Sequence, residues 1–371
     1  MNKKLFIYVQ HLLGVGHLKR MALIAKAAAA SGMNVVLASG GKNFPHLDCG
    51  VAKLFQLPPA FSDAAFSHIL DEKGEVVTSA WKEARTELLL NKINAFKPDL
   101  LLVEMYPFGR RMFRFELTPL LQYARNATIP TICSVRDILV KKSKPERERE
   151  IVEVLDAFFD RILVHGDPNI CPFNFPLLDF IKDKIRYTGY VAQQEDIPVK
   201  SGAEILVSAG GGAVGFDMIK QALEAKPQTM FHHSPWRIIT GGNISDENYR
   251  ELSRYAEKGV SIEKFRPDFV QLLAECRLSI SQGGYNTILE ILQCKKPALI
   301  IPFAEGEESE QEIRAALLAQ KGLLEWLSSN RIKEDMAQAI DRAGRLEVPR
   351  IELDMNGIHN TLTYLKELAS G

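Results

Sequence analysis

Short apolar runs recur along the chain, each closed by a glycine, a proline or a charge and each followed by a longer amphipathic stretch. The spacing predicts buried strands over 5–9, 35–38, 100–103, 129–135 and 161–165 in the first half. In the second half it predicts strands over 204–208, 237–240, 260–262, 278–281 and 297–302. Between them, apolar positions at helical spacing mark helices over 18–31, 79–96, 214–225, 268–274, a stretch beginning near Tyr285, 332–342 and 358–368. Strand and helix alternating in this way predict an α/β protein with parallel sheets, in which ligands meet the C-terminal ends of the strands. Residues 60–78 lack periodicity and read as a long loop, and 141–150, KKSKPERERE, reads as a solvated charge run with a basic first half.

Length turns this into two domains, because 371 residues with 46% hydrophobic content exceed one ordinary core. The polar stretch around 192–198 is the expected boundary. Lys, Arg and the acidic residues balance to a net charge of zero, so no global field draws in nucleic acid. The five cysteines lack CxxC spacing and read as reduced core residues. Lys3-Lys4 before 5–9 resembles a leader, but Gln10 and His11 interrupt the run, which fits a first strand. No apolar run approaches the ~18 residues that span a bilayer.

Chemistry concentrates at strand ends. After 278–281 come Gly283 and Gly284, then a helix opening on Tyr285, Asn286 and Thr287. Glycines let a ligand approach the backbone, and the N–H groups of a helix start bind phosphate. Glu290, one turn beyond Asn286, shares its face and suits a ribose diol. Glu310 and Gln311 open a later helix and suit sugar hydroxyls. Gly210, Gly211 and Gly212 form a second glycine-rich turn of the same kind, lacking the Walker pattern of a P-loop ATPase.

In the first half, Gly14 and Gly16 form the turn after 5–9 and lead to His17, whose imidazole could take a proton from a hydroxyl. The plain alternative is a histidine that only sits at a helix start. Glu104, just past 100–103, is a second candidate base. Arg110 and Arg111 follow it, interleaved with phenylalanines, and Arg136 with Asp137 ends the next strand. Guanidiniums fork onto phosphate or carboxylate, so the three arginines, with Asp137 and the Gly14–Gly16 turn, mark an acceptor surface.

The stretch LSISQGGYNTILEILQCKKPALIIPFAEGEESEQEIRAAL, 278–317, resembles the C-terminal signature of GT-B glycosyltransferases, in particular the MurG-like family that adds N-acetylglucosamine to a lipid-linked acceptor. GVGHLKR, 14–20, is similar to the N-terminal loop of the same transferases and of related nucleotide-sugar hydrolases. The resemblance implies two Rossmann-like domains facing across a cleft: 1–195 on the acceptor side, 196–355 binding the nucleotide sugar, and a C-terminal helix, 356–371, returning to the first. It implies that Glu290 holds the ribose, Glu310 and Gln311 the donor sugar, 284–287 the diphosphate, and backbone near Phe265 the nucleobase. Where the family commonly has two glutamines, this chain has Glu310-Gln311.

The implied reaction is inverting transfer from a UDP-linked sugar to an acceptor hydroxyl, with His17 or Glu104 as base. No cofactor is expected, and no metal, since there is no DxD motif. The acceptor would be anionic or lipid-linked, and the enzyme cytoplasmic, with peripheral contact at the inner face of the membrane. A hydrolase or a 2-epimerase on the same fold, or a non-catalytic sensor of nucleotide sugars, are the rival readings.

Overall fold

A computed structural model describes residues 2–12, 15–45, 47–63, 67–138, 145–192, 198, 200, 202–210, 215–256, 259–303, 310–348 and 352–370. The chain forms two compact units, Met1–Gln193 with Leu353–Gly371, and Gln194–Glu352.

In the first unit the order is β1 (Lys4–Val9), α1 (Gly16–Ala30), β2 (Asn34–Ser39), β3 (Lys53–Gln56), β4 (Phe61–Ser62), β5 (Ile69–Leu70), α2 (Ser79–Phe96), β6 (Leu100–Glu104), α3 (Arg114–Asn126), β7 (Thr131–Arg136), α4 (Pro145–Phe158), β8 (Arg161–His165) and β9 (Ile185–Tyr187). Seven strands pair in the order β3-β2-β1-β6-β7-β8-β9, all parallel. The two-residue period of β1 sorts its side chains. Leu5, Ile7 and Val9 join a core with α1, while Phe6 and Tyr8 join another with α2 and α3. Both faces are thus covered, which explains why these strands are apolar without alternation.

The second unit runs β10 (Ile205–Ser208), α5 (Phe216–Ala225), β11 (Trp236–Ile239), α6 (Asp246–Ser253), β12 (Val260–Glu263), α7 (Phe269–Glu275), β13 (Leu278–Gln282), α8 (Tyr285–Cys294), β14 (Ala298–Ile301), α9 (Glu310–Gln320), β15 (Glu325–Trp326) and α10 (Ile332–Gly344). Its six strands, also parallel, lie in the order β12-β11-β10-β13-β14-β15. The last helix, α11 (Gly357–Ser370), belongs to the first unit, where Leu365 is buried in the core that α1 covers.

α3, α6 and β9 were not predicted, and three further details differ from the sequence expectation for physical reasons. The 60–78 loop contains the antiparallel β4–β5 pair, too short to show a period. The acidic half of the charge run starts α4, with Glu146 and Glu148 in its first turn, where carboxylates oppose the helix dipole favourably. β3 went unforeseen because its side chains are exposed or half-buried at the sheet edge.

Candidate active site

In a sheet of this kind the strand order reverses at one place, and the C-terminal strand ends part there to leave a crevice. In the first unit that place lies between β1 and β6. α1 starts there with no side-chain cap, and a Cβ added to Gly16 would meet nothing within 4 Å. His17 stands in the first turn of α1, and Glu104 is the last residue of β6. Their side chains meet: His17 Nδ1 lies 2.5 Å from Glu104 Oε1, and Arg20 Nη2 donates to the same oxygen at 2.7 Å.

Two residues read from sequence as alternative bases therefore form one dyad with unequal roles. The Glu104 side chain is 0% exposed and cannot reach a substrate, whereas His17 is 13% exposed. Burial alone would raise the Glu104 carboxyl, but the charge and hydrogen bond of His17, then the guanidiniums of Arg20 and Arg110, outweigh it and hold it at about 2. His17 is lowered to about 3, first by burial; Glu104 opposes the fall, and Arg136 and Arg110 add to it. An ionised carboxylate only accepts, so at neutral pH Nδ1 carries the ring proton and Nε2 keeps its lone pair.

Arg110 and Arg111, adjacent in sequence, serve two different places. Arg110 takes a left-handed conformation (φ 60°) and its Nε donates to the Gln10 carbonyl at 2.5 Å, within range of the dyad's charge. Arg111 is exposed, pairs with Glu150 at 3.2 Å and lines an open pocket of about 530 Å³. Lys82, Arg114 and Arg147 line the same pocket, with Ile69, Val76, Val77, Met112 and Phe115 as an apolar wall. Arg136 is half-buried at the end of β7. Asp137 is buried against Gly166, which has no side chain to displace it, so it does not face outward as the acceptor-surface reading expected. Gly14 lies outside the described residues.

Sequence reasoning missed a buried network under this site. Arg85 donates from Nε to Glu116 Oε2 at 2.9 Å and from Nη2 to Gln10 Oε1 at 2.7 Å, and the Tyr8 hydroxyl donates to Glu116 Oε1. The signal was present: Arg85, Leu89 and Ile93 are four apart and share the buried face of α2.

In the second unit the order reverses between β10 and β13. Gly284 caps α8 without offering a side chain, and space beside it is open to all but Thr287 Oγ1 at 3.9 Å. Tyr285, Asn286 and Thr287 form the first turn of α8, whose N–H groups have no carbonyl partner within the helix, and Glu290 is half-buried one turn on. Gly283 is tightly packed: a Cβ there would lie 3.2 Å from Gln311 Cβ and 3.3 Å from Ile300 Cγ2. Gln311 Oε1 accepts the N–H of Phe303 at 3.1 Å, and Glu310 Oε1 accepts Arg314 Nη2 at 2.7 Å. Gly210 takes φ +59° with open space around it, while Gly211 and Gly212 lie outside the described residues.

Phe265 is 71% exposed, on a loop that ion pairs fix. Arg266 bonds Asp268 at 2.6 Å and Glu263 at 3.1 Å, and Arg237 ties Glu263 to Glu204. The Arg237 pairs were not foreseen, since Glu204 just precedes β10, Arg237 lies on β11 and Glu263 ends β12, and these residues meet only through pairing of the strands.

Residues 206–346 match the glycosyltransferase family 28 C-terminal domain. The UDP-N-acetylglucosamine--N-acetylmuramyl-(pentapeptide) pyrophosphoryl-undecaprenol N-acetylglucosamine transferase of Prochlorococcus marinus (strain MIT 9312) is 27% identical over 150 residues, 40% of each chain. That of Brucella canis is 28% identical over 145 residues, 37% of this chain and 38% of the relative. The chain thus spans about two fifths of the length of the curated relatives it matches. Among solved structures, Acinetobacter baumannii MurG matches with a TM-score of 0.64 at 14% identity, over 98% of this chain and 99% of that one. The calicheamicin glycosyltransferase CalG4 matches with a TM-score of 0.65 at 14% identity, over 100% and 99%. The whole chain has the GT-B fold, and residues 206–346 of its second unit are similar to the glycosyltransferase family 28 C-terminal domain.

Proposed function

We propose that the protein is a glycosyltransferase that moves a sugar from a UDP-linked donor to an acceptor hydroxyl with inversion and without a metal ion. The observation that carries this reading is the His17–Glu104 dyad at the crossover of the first unit. Neutral His17 takes the acceptor's proton at Nε2 while the hydroxyl oxygen attacks the anomeric carbon. The bond from that carbon to the diphosphate oxygen breaks, and the nucleoside diphosphate leaves with the electron pair. Backbone N–H groups at the start of α8 receive the developing charge, a preorganised stabilisation. Glu104 keeps the proton on Nδ1 and steadies the imidazolium that forms.

Donor recognition falls to the second unit, with Glu290 on the ribose, backbone near Phe265 on the base, and Glu310 with Gln311 on the sugar. The matched relatives, named for UDP-N-acetylglucosamine and a pyrophosphoryl-undecaprenol acceptor, support a UDP-sugar and a lipid-linked acceptor. So does the pocket beside Arg111, where cations stand against an apolar wall. Among the described residues no helix is long and apolar enough to cross a membrane. Such an acceptor would be met by peripheral contact.

A sensor of nucleotide sugars would need no oriented histidine, so the dyad speaks against that rival. Water could replace the acceptor at the same base. Product analysis with a UDP-sugar, with and without acceptor, decides: sugar transferred only when an acceptor is present supports transfer, and free sugar at equal rate in both overturns it.

A further inference from the structure

The pocket beside Arg111 is ringed by cations, and the anion that answers them comes from outside its lining. Lys82, Arg111, Arg114 and Arg147 line it, and no acid stands among its described lining residues. Arg114 starts α3, and Arg111 lies in the short turn before it. Arg147 and Glu150 are three apart on α4 and share one face of that helix. Glu150 Oε2 lies 3.2 Å from Arg111 Nη2, and its Oε1 lies 3.9 Å from Arg114 Nη1. The carboxylate therefore stands across both guanidiniums with one oxygen toward each, as the oxygens of a phosphate would.

Arg147 draws on the same group. Burial and then Arg111 hold its guanidinium below its ordinary value, and Glu150 pulls the other way. Lys82 Nζ is turned to the apolar wall, 5.6 Å from the centre of the Phe115 ring. Three arginines thus share one carboxylate, and they share it loosely. Arg111 and Arg114 are 49% and 59% exposed and Glu150 is 42% exposed, so each pair is worth little and opens at little cost.

We propose that Glu150 is a built-in competitor, holding the place of an anionic ligand across Arg111 and Arg114 and yielding it to an amphiphile that carries a phosphate. The proposal rests on the reading of this pocket as the seat of an anionic, chain-bearing acceptor. A phosphate brings more negative charge to the three arginines than one carboxylate does, and its chain gains the apolar wall. Glu150 is anchored to α4 and cannot leave the neighbourhood, so it opposes every anion that enters and is indifferent to a neutral amphiphile.

The test measures Kd by calorimetry for octyl phosphate, inorganic phosphate and the neutral tetraethylene glycol mono-octyl ether, with the full-length protein, Glu150→Gln and Arg147→Gln at low salt. Glu150→Gln is expected to bind octyl phosphate about two- to fivefold more tightly, with the ether unchanged. Tighter binding can come only from folded protein. The gain should vanish in about 1 M salt, where charges are screened within about 3 Å. Arg147→Gln should weaken octyl phosphate by a similar factor. An unchanged or weaker Kd in Glu150→Gln overturns the proposal, and so does an equal gain for the ether, which would mean a reshaped pocket. Equal Kd values for inorganic and octyl phosphate remove the amphiphile as ligand. If octyl phosphate fails to bind the unaltered protein, or is indifferent to Arg147→Gln, the reading of the pocket falls and takes this proposal with it; in the other failures octyl phosphate still binds through Arg147.

Discussion

Replacing Glu104 by glutamine tests whether the dyad is one device. The carboxylate receives His17 Nδ1 at 2.5 Å and Arg20 Nη2 at 2.7 Å, and none of it is exposed. Glutamine keeps the volume and removes the charge, so buried Arg20 loses the carboxylate it bonds. Breaking a buried ion pair from one side costs about 3–5 kcal/mol. In a unit of about 200 residues each kcal/mol lowers Tm by about 2–4 °C, so its unfolding transition should fall by roughly 6–20 °C. Arg20 and His17 Nδ1 both bond the position of Oε1, so the amide oxygen stays there and Nδ1 keeps its proton, but the negative charge that would steady an imidazolium is gone. The contribution of a general base, about 10²–10⁴-fold in kcat, goes with it. His17→Ala is the control. It removes the ring and keeps Glu104 with Arg20, so it should lose the same rate while lowering Tm by only about 2–4 °C, one hydrogen bond's worth. Calorimetry and steady-state kinetics on the two variants separate these outcomes. A Glu104→Gln protein with Tm within about 2 °C and kcat within about threefold of the unaltered enzyme refutes the coupling.

Depressed by burial and by Arg136 and Arg110, His17 stays neutral as pH falls, so the acid limb of kcat/KM should lie well below pH 6.5; Arg136→Gln removes one opposing cation and should move the limb upward. The same depression has a sign for stability: the unfolded histidine binds a proton below about 6.5 that the folded ring refuses down to about 3, so thermal unfolding should ease progressively across that window. Arg85→Met leaves Glu116 and Tyr8 buried without the guanidinium and should cost about 3–5 kcal/mol in denaturant unfolding of the first unit. Gly283→Ala puts a methyl 3.2 Å from Gln311 Cβ, and displacing Gln311 should weaken UDP-sugar binding more than UDP binding in a calorimetric titration.

The fold was legible because both sheets are covered on two faces, which makes their strands continuous apolar runs that turn residues punctuate. The helix over 79–96 and the strand over 161–165 match α2 and β8 residue for residue. Among what failed, β3 buries too little to show a period, and the β4–β5 pair has two residues a strand. The site was legible in kind but not in grouping. His17 and Glu104 are 87 positions apart, and only the crossing of β6 beside β1 brings them together. Arg110 and Arg111 read as one pair, yet the left-handed turn at Arg110 sends them to different places. Such partitions depend on backbone angles that composition and periodicity do not carry.

The buried charges of the first unit look extravagant until their order is followed. Arg85 and Glu116, from α2 and α3, are buried together, and burial pushes the Glu116 carboxyl up against the pull of Arg85. A pair so placed is weak support for stability, since an apolar pair of the same shape often does as well. Its use lies in what it holds. Arg85 fixes the Gln10 side chain, the Gln10 carbonyl receives Arg110, and the charge of Arg110 acts on both His17 and Glu104. Hydrogen bonds joined through Gln10, first its side chain and then its backbone, therefore link the two helices that frame the Arg111 pocket to the Arg110 guanidinium. Groups fixed in advance need no reorganisation when charge develops at a reacting oxygen, which is where preorganised sites gain their rate. On this argument the network and the dyad are one construction. Loosening Arg85 should therefore lower kcat as well as stability, although Arg85 touches neither substrate nor histidine.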